Sequence, residues 1–151
     1  MKMSNVLFAA LLTVSACASS SGGSKPSETP ATSSKSLYER LGGKDAITAV
    51  VGSFVTRLAA DARINARFAN SDIPHLKQML VEQICSATGG PEKYTGKDMK
   101  TTHAGMNITE DEFNALVEDL KGALDEFKVG ADEQKQLLGA LGGMKGDIVG
   151  Q

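Results

Sequence analysis

One apolar spacing decides what most of this chain can become. Ile47, Val50, Val51, Phe54, Val55 and Leu58 recur at offsets of 3, 4, 7, 8 and 11 residues, the repeat that lays a wide apolar face along an α-helix. The same period returns three times. Ile73, Leu76, Leu80, Ile84 and Ala87 form a second stripe; Phe113, Leu116, Val117, Leu120, Leu124 and Phe127 a third; Leu137, Leu141, Met144 and Ile148 a fourth. No run alternates apolar and polar residues at the period of two that a half-buried strand requires. The expectation is an all-α domain.

Local punctuation agrees with that period. Ser36 with Glu39 is a capping box opening a short helix, "SLYERL", which Gly42-Gly43 ends. "NSD" caps the segment "IPHLKQMLVEQICSATGG", with Pro74 tolerated in the first turn and Gly89-Gly90-Pro91 as the stop. Thr109 and Glu112 form a second capping box. Gly139, Gly142 and Gly143 weaken the last helix by about 1 kcal/mol each relative to Ala. Between Gly89 and Thr109 the periodicity lapses, with at most one helical turn near Asp98 to His103. Such a long loop in a small domain is often functional, and this one holds one of only two histidines in the chain. A helical domain with an imidazole carried into its middle lacks core volume, and a flat apolar cofactor would supply it.

The first residues follow a different logic. Lys2 precedes an apolar run from Val6 to Val14 and then small residues, the layout of a secretory signal peptide. The run falls short of the roughly 20 residues that span a bilayer. "VSAC", Val14 to Cys17, resembles the lipobox of bacterial lipoproteins, which implies cleavage before Cys17 and its lipidation. Ala18 after it resembles lipoproteins sent to the outer membrane. Residues 18–35 are Ser, Thr, Gly and Pro with little to bury, so they are expected to form a disordered linker. The organisation expected is a signal peptide over 1–17, a linker over 18–35 and one folded domain over 36–151. The folded part would then sit in the periplasm or at the outer membrane, held to the membrane through Cys17. With Cys17 consumed, Cys85 has no disulfide partner. A net charge of −2, with 41% hydrophobic and 23% charged residues, suits a soluble domain and leaves no basic footprint for nucleic acid. A monomer is expected.

"SLYERLGGKDAITAVVGSFVTRL", "FANSDI", "TGGPEKYTGKDMKTTHAGM" and "ITEDEFNALVEDL" occur in this order, and together they resemble the group I truncated haemoglobins from Ser36 to about Val149. The resemblance implies a two-over-two helical sandwich around haem b, with His103 as the proximal ligand to iron. It maps haem contacts onto Phe54, Leu76, Leu80, Met99, Thr102, Met106, Ile108, Phe113 and Val117, and propionate partners onto Tyr94 and Lys97. Ordinary core packing is the competing account of each apolar position, and a merely solvated Lys97 competes with a propionate role. The chemistry is consistent, because haem iron takes a neutral imidazole nitrogen while the other ring nitrogen is held by an acceptor. Structural zinc would need four Cys or His ligands, and the folded part has only His75, His103 and Cys85. No glycine cluster follows a strand, which removes Rossmann and P-loop readings.

The chain departs from the family on the distal side. Where family members commonly have a tyrosine it has Val55, and the other distal positions read Leu76, Met79 and Leu80. None of these donates a hydrogen bond to a bound gas. Met79 or His75 is a candidate sixth iron ligand, although Met79 can equally fill core. Gln83 stands where the family often has an aromatic lining a ligand tunnel. The function expected is reversible binding of oxygen or nitric oxide rather than dedicated enzyme activity. The alternatives are haem redox work (nitric oxide detoxification, peroxidase chemistry or electron transfer to an unknown partner) and a haem-free helical lipoprotein.

Overall fold

The computed structural model describes residues 35–151. The signal segment, Cys17 and the linker up to residue 34 lie outside the described residues. Within them six α-helices follow in order: α1 Leu37–Arg40, α2 Gly43–Ala60, α3 Ile73–Ala87, α4 Met99–His103, α5 Glu110–Glu126 and α6 Ala131–Gly142. Short 3-10 turns cover Asn65–Phe68 and Lys145–Asp147. The only extended pairing among the described residues is a single parallel bridge, Ile108 with Val149. The all-α expectation holds.

Both capping boxes form as the sequence predicts, at Ser36–Glu39 and at Thr109–Glu112. Asp72 caps α3 by accepting from the His75 amide. The two double glycines do related jobs around Tyr38. Gly42 takes φ +93° where α1 turns into α2, a region that glycine alone enters cheaply. The Tyr38 amide donates to the Thr88 carbonyl at 2.9 Å, and a Cβ at Gly90 would stand 2.6 Å from the Tyr38 ring. One aromatic side chain thus seats α1 against the end of α3.

α2 is the centre of the packing, against α3 on one side and α5 on the other, while α5 also meets α6 and α1 meets α6. This is the two-over-two arrangement, α2 with α3 and α5 with α6. Val51, Leu58, Cys85, Leu120, Leu124 and Leu137 are the most completely buried large side chains; burying one such leucine contributes about 1.5–3 kcal/mol.

The expected stripes need three corrections. On α3 the fully buried residues are Val81, Ile84 and Cys85, with Thr88 just beyond the helix. Ile73, Leu76 and Leu80 are only half-buried and Ala87 is exposed. The buried face shares Ile84 with the predicted stripe but is centred on Val81 and Cys85, with Ile73 and Leu80 packed at its margin. Phe127 is 44% exposed because α5 ends at Glu126. There Lys128 turns left-handed at φ +56°, and the Val129 amide returns to the Leu124 carbonyl at 3.0 Å, so Val129 packs on the core in its place. α6 stops at Gly142 and keeps Leu137 and Leu141 but not Met144 or Ile148. The glycines end it.

Candidate functional site

α4 is little more than one turn, held at its start by Asp98. The Asp98 carboxylate accepts from the Thr101 amide at 2.8 Å and from the Thr101 hydroxyl at 2.7 Å, and those bonds keep its carboxyl below the usual range. The Thr102 hydroxyl donates to the Asp98 carbonyl at 2.8 Å. His103 occupies the last helical position. Its Nδ1 lies 2.8 Å from the Met99 carbonyl oxygen, four residues back. A carbonyl only accepts, so Nδ1 carries a proton, and in the neutral ring that leaves the lone pair on Nε2. The ring is half-buried, oriented and left with one free donor atom for a metal.

The chain after His103 is held from two sides. Arg67, in the 3-10 turn between α2 and α3, sends Nη1 to the Met106 carbonyl at 2.7 Å. Its Nε and Nη2 grip the Glu112 carboxylate at 2.7 and 3.0 Å. Glu112 is the capping-box residue of α5, and Arg67 first, then the Thr109 amide, holds its carboxyl down at about 2. On the other side the Asn107 amide donates to the Gln151 carbonyl at 2.6 Å and the Gly150 amide to the Ile108 carbonyl at 2.9 Å.

α3 approaches α4 through Gln83. Leu76, Leu80 and Gln83 fall on one helical face (offsets of four and seven), with Met79 beside them. The Gln83 amide nitrogen lies 3.4 Å from the Met99 sulfur and 3.3 Å from the Met144 sulfur, which sets this face against α4 and the turn after α6. Thioether sulfur is a weak acceptor, so these contacts place the amide more than they satisfy it. Phe113 of α5 is 7% exposed, with the Lys145 ammonium 5.9 Å from its ring centre. At the rim, Glu82 takes the Thr95 hydroxyl at 2.6 Å and the Thr95 amide at 3.1 Å, hanging the loop before α4 on α3. The Tyr94 hydroxyl donates to the Lys97 carbonyl at 2.9 Å, and burial pushes this phenol up. Lys97 stands exposed beside it.

These residues fit a flat apolar group. Leu76, Met79, Leu80, Met99, Ile108, Val117 and Met144 are only half-buried, and Met106, three residues past His103, is 45% exposed. So much apolar surface around one oriented imidazole is what an apolar macrocycle would cover. The donor set agrees, because no group of three His, Cys, Asp or Glu gathers as a metal site among the described residues. A metal here needs ligands that the protein does not supply. Met99 and His103 are brought together directly, whereas Phe54, at 2% exposure, lies in the main core. His75 is exposed in the first turn of α3. Cys85 is fully buried and its thiol is pushed up to about 11 by burial and then by the Glu92 charge, which leaves it inert. Arg67 was invisible in the sequence, since both its partners lie far along the chain.

Known proteins match this geometry. The family model described as "Bacterial-like globin" matches residues 36–149. The chain is 34% identical over 113 residues to the group 1 truncated hemoglobin GlbN of Mycolicibacterium paratuberculosis, covering 75% of this chain and 83% of that one. The crystal structure of the Fe(III) form of truncated hemoglobin from Tetrahymena pyriformis superposes with a TM-score of 0.75 at 31% identity, over 78% of this chain and all of that one. The 2/2 hemoglobin of Synechococcus sp. PCC 7002, in the cyanomet state with covalently attached heme, gives 0.72 at 30% identity, over 76% and 98%.

Proposed function

The chain belongs to the bacterial-like globin family, as a group 1 truncated haemoglobin with haem b as its cofactor, and from that membership we propose an exported, lipid-anchored globin that binds oxygen or nitric oxide, with His103 as the proximal ligand. When bound, haem supplies an iron with a position open to a small gas. The observation that carries the residue assignment is the 2.8 Å contact from His103 Nδ1 to the Met99 carbonyl. It sets the tautomer and orients the ring, the outer-shell bond a metal-bound histidine needs. Leu76 and Leu80 would face the other side of the cofactor, Met99, Met106, Ile108, Phe113 and Val117 would enclose it, and Tyr94 and Lys97 would meet its propionates.

The distal wall supports simple, weak gas binding. Val55 is 5% exposed, and Val55, Leu76, Met79 and Leu80 offer no hydrogen-bond donor to hold a polar ligand. A redox role is the second reading, favoured by Met79, whose thioether is half-buried beside Leu76 and Leu80; a Met–His pair raises the potential of haem iron. Replacing His103 by Gly tests the first reading. The full-length variant should lose its haem absorption band and regain it with added imidazole, and retention of the normal spectrum without imidazole would sink the assignment.

A further inference from the structure

We infer that Arg67 is a positioning residue for the proximal histidine, fixing through the Met106 carbonyl and Glu112 the path by which His103 leaves α4; this rests on His103 being the iron ligand. Three bonds of 2.7, 2.7 and 3.0 Å leave one planar guanidinium. A guanidinium spans a carboxylate with two parallel N–H groups while a further N–H points elsewhere, which an ammonium on a flexible stem does not reproduce. The anchored points are chosen tellingly. Met106 is three residues past His103, and its own amide donates back to the His103 carbonyl at 3.0 Å. Glu112 caps α5 through Thr109, at 3.2 Å from its amide to the Thr109 hydroxyl and 2.9 Å from the Thr109 amide to its carboxylate. Arg67 therefore ties the turn that carries the histidine to the first turn of the long helix behind it.

The turn needs such a tie. It includes Gly105 at φ +79° and Asn107 at φ +49°, and Ala104 to Asn107 are exposed, so apolar burial does little to hold them. Without Arg67 the Met106 carbonyl returns to solvent, and the turn keeps only α4, five residues long, on one side and the pairing of Asn107 and Ile108 with residues 149–151 on the other. A ligand imidazole free to tilt binds iron less directionally, and disturbing outer-shell partners of a metal ligand typically costs about 10–100-fold in affinity.

The test uses full-length, haem-loaded protein. Resonance Raman spectra are taken on the transient five-coordinate ferrous form made by photolysing the carbon monoxide complex, so that any resting sixth ligand is irrelevant. Arg67→Gln should shift and broaden the iron–histidine stretching band and speed haem loss to an acceptor globin by about tenfold. Arg67→Lys should recover thermal stability but leave the band displaced. Arg63→Gln, which removes surface bonds to Asp61 and Glu118, should leave both readouts alone. An Arg67→Gln protein with a normal band and normal haem loss overturns the inference, even if it melts earlier, because a merely structural role would look like that. An iron–histidine band that persists in His103→Gly would instead overturn the site beneath it.

Discussion

At the scale of single residues, the chemistry is concentrated in a few atoms that can be changed one at a time. The positions proposed as distal, Val55, Leu76, Met79 and Leu80, carry no donor, and a hydrogen bond to a charged acceptor contributes about 1.5–3 kcal/mol. Placing one there with Leu80→Gln should slow oxygen dissociation from the ferrous protein by about one to two decades, measured by stopped flow. An unchanged rate would mean that Leu80 does not face the gas. His103 shows how far one residue can be read from sequence. Its proposed role as the ligand comes from the family resemblance that "HAGM" helps to carry, but the proton on Nδ1 does not. That depends on where the Met99 carbonyl points, and only the one-turn helix α4 decides it.

At the scale of elements, the helix boundaries were legible wherever a side chain writes them into the chain. Ser36, Asp72 and Thr109 are local caps with local partners, so their helices begin where expected. The faces were less legible. α3 carries apolar residues on two sides, and no periodicity tells which side meets a protein helix and which meets a cofactor; Leu76 and Leu80 were assigned to both. α5 ended one residue before its last apolar position because Lys128, not a glycine, makes the left-handed turn. The junction of α4 and α5 yields a pH prediction. The Glu112 carboxyl, whose ordinary value is 4.5, is held at about 2 by Arg67. The stability it contributes is complete above its unfolded value and drains away as pH falls from 4.5 towards 2. Urea unfolding across that range should therefore show wild type losing its margin over Glu112→Gln, with the two curves converging at the acid end. Parallel curves would mean that the ion pair adds nothing to folding.

At the scale of the whole molecule, the folded part and the segment before it answer separate questions. No helix among the described residues is long and apolar enough to cross a membrane; the attachment proposed above is through Cys17. Expressed in a bacterium with two membranes, the wild-type chain should fractionate with membranes and incorporate labelled palmitate. Cys17→Ser should do neither while still carrying haem in the domain. Identical fractionation of the two would remove the anchor from the proposal. Two-over-two packing leaves the cofactor supported differently on its two sides. The distal wall, α3, is part of the main core through Val81, Ile84 and Cys85. The proposed proximal wall, α4 with the turn after it, is joined to the rest mainly by polar bonds: Thr95 to Glu82, Gln83 to Met99, Arg67 to the Met106 carbonyl, and the pairing of Asn107 and Ile108 with residues 149–151. That pairing is a seam of a few backbone bonds between half-buried and exposed residues, of the kind that opens more readily than a core. Opening of that seam would loosen α4 while α2, α3 and α5 stay packed. The expected consequence is that haem bound at this site would be lost through that local opening, faster than the domain unfolds.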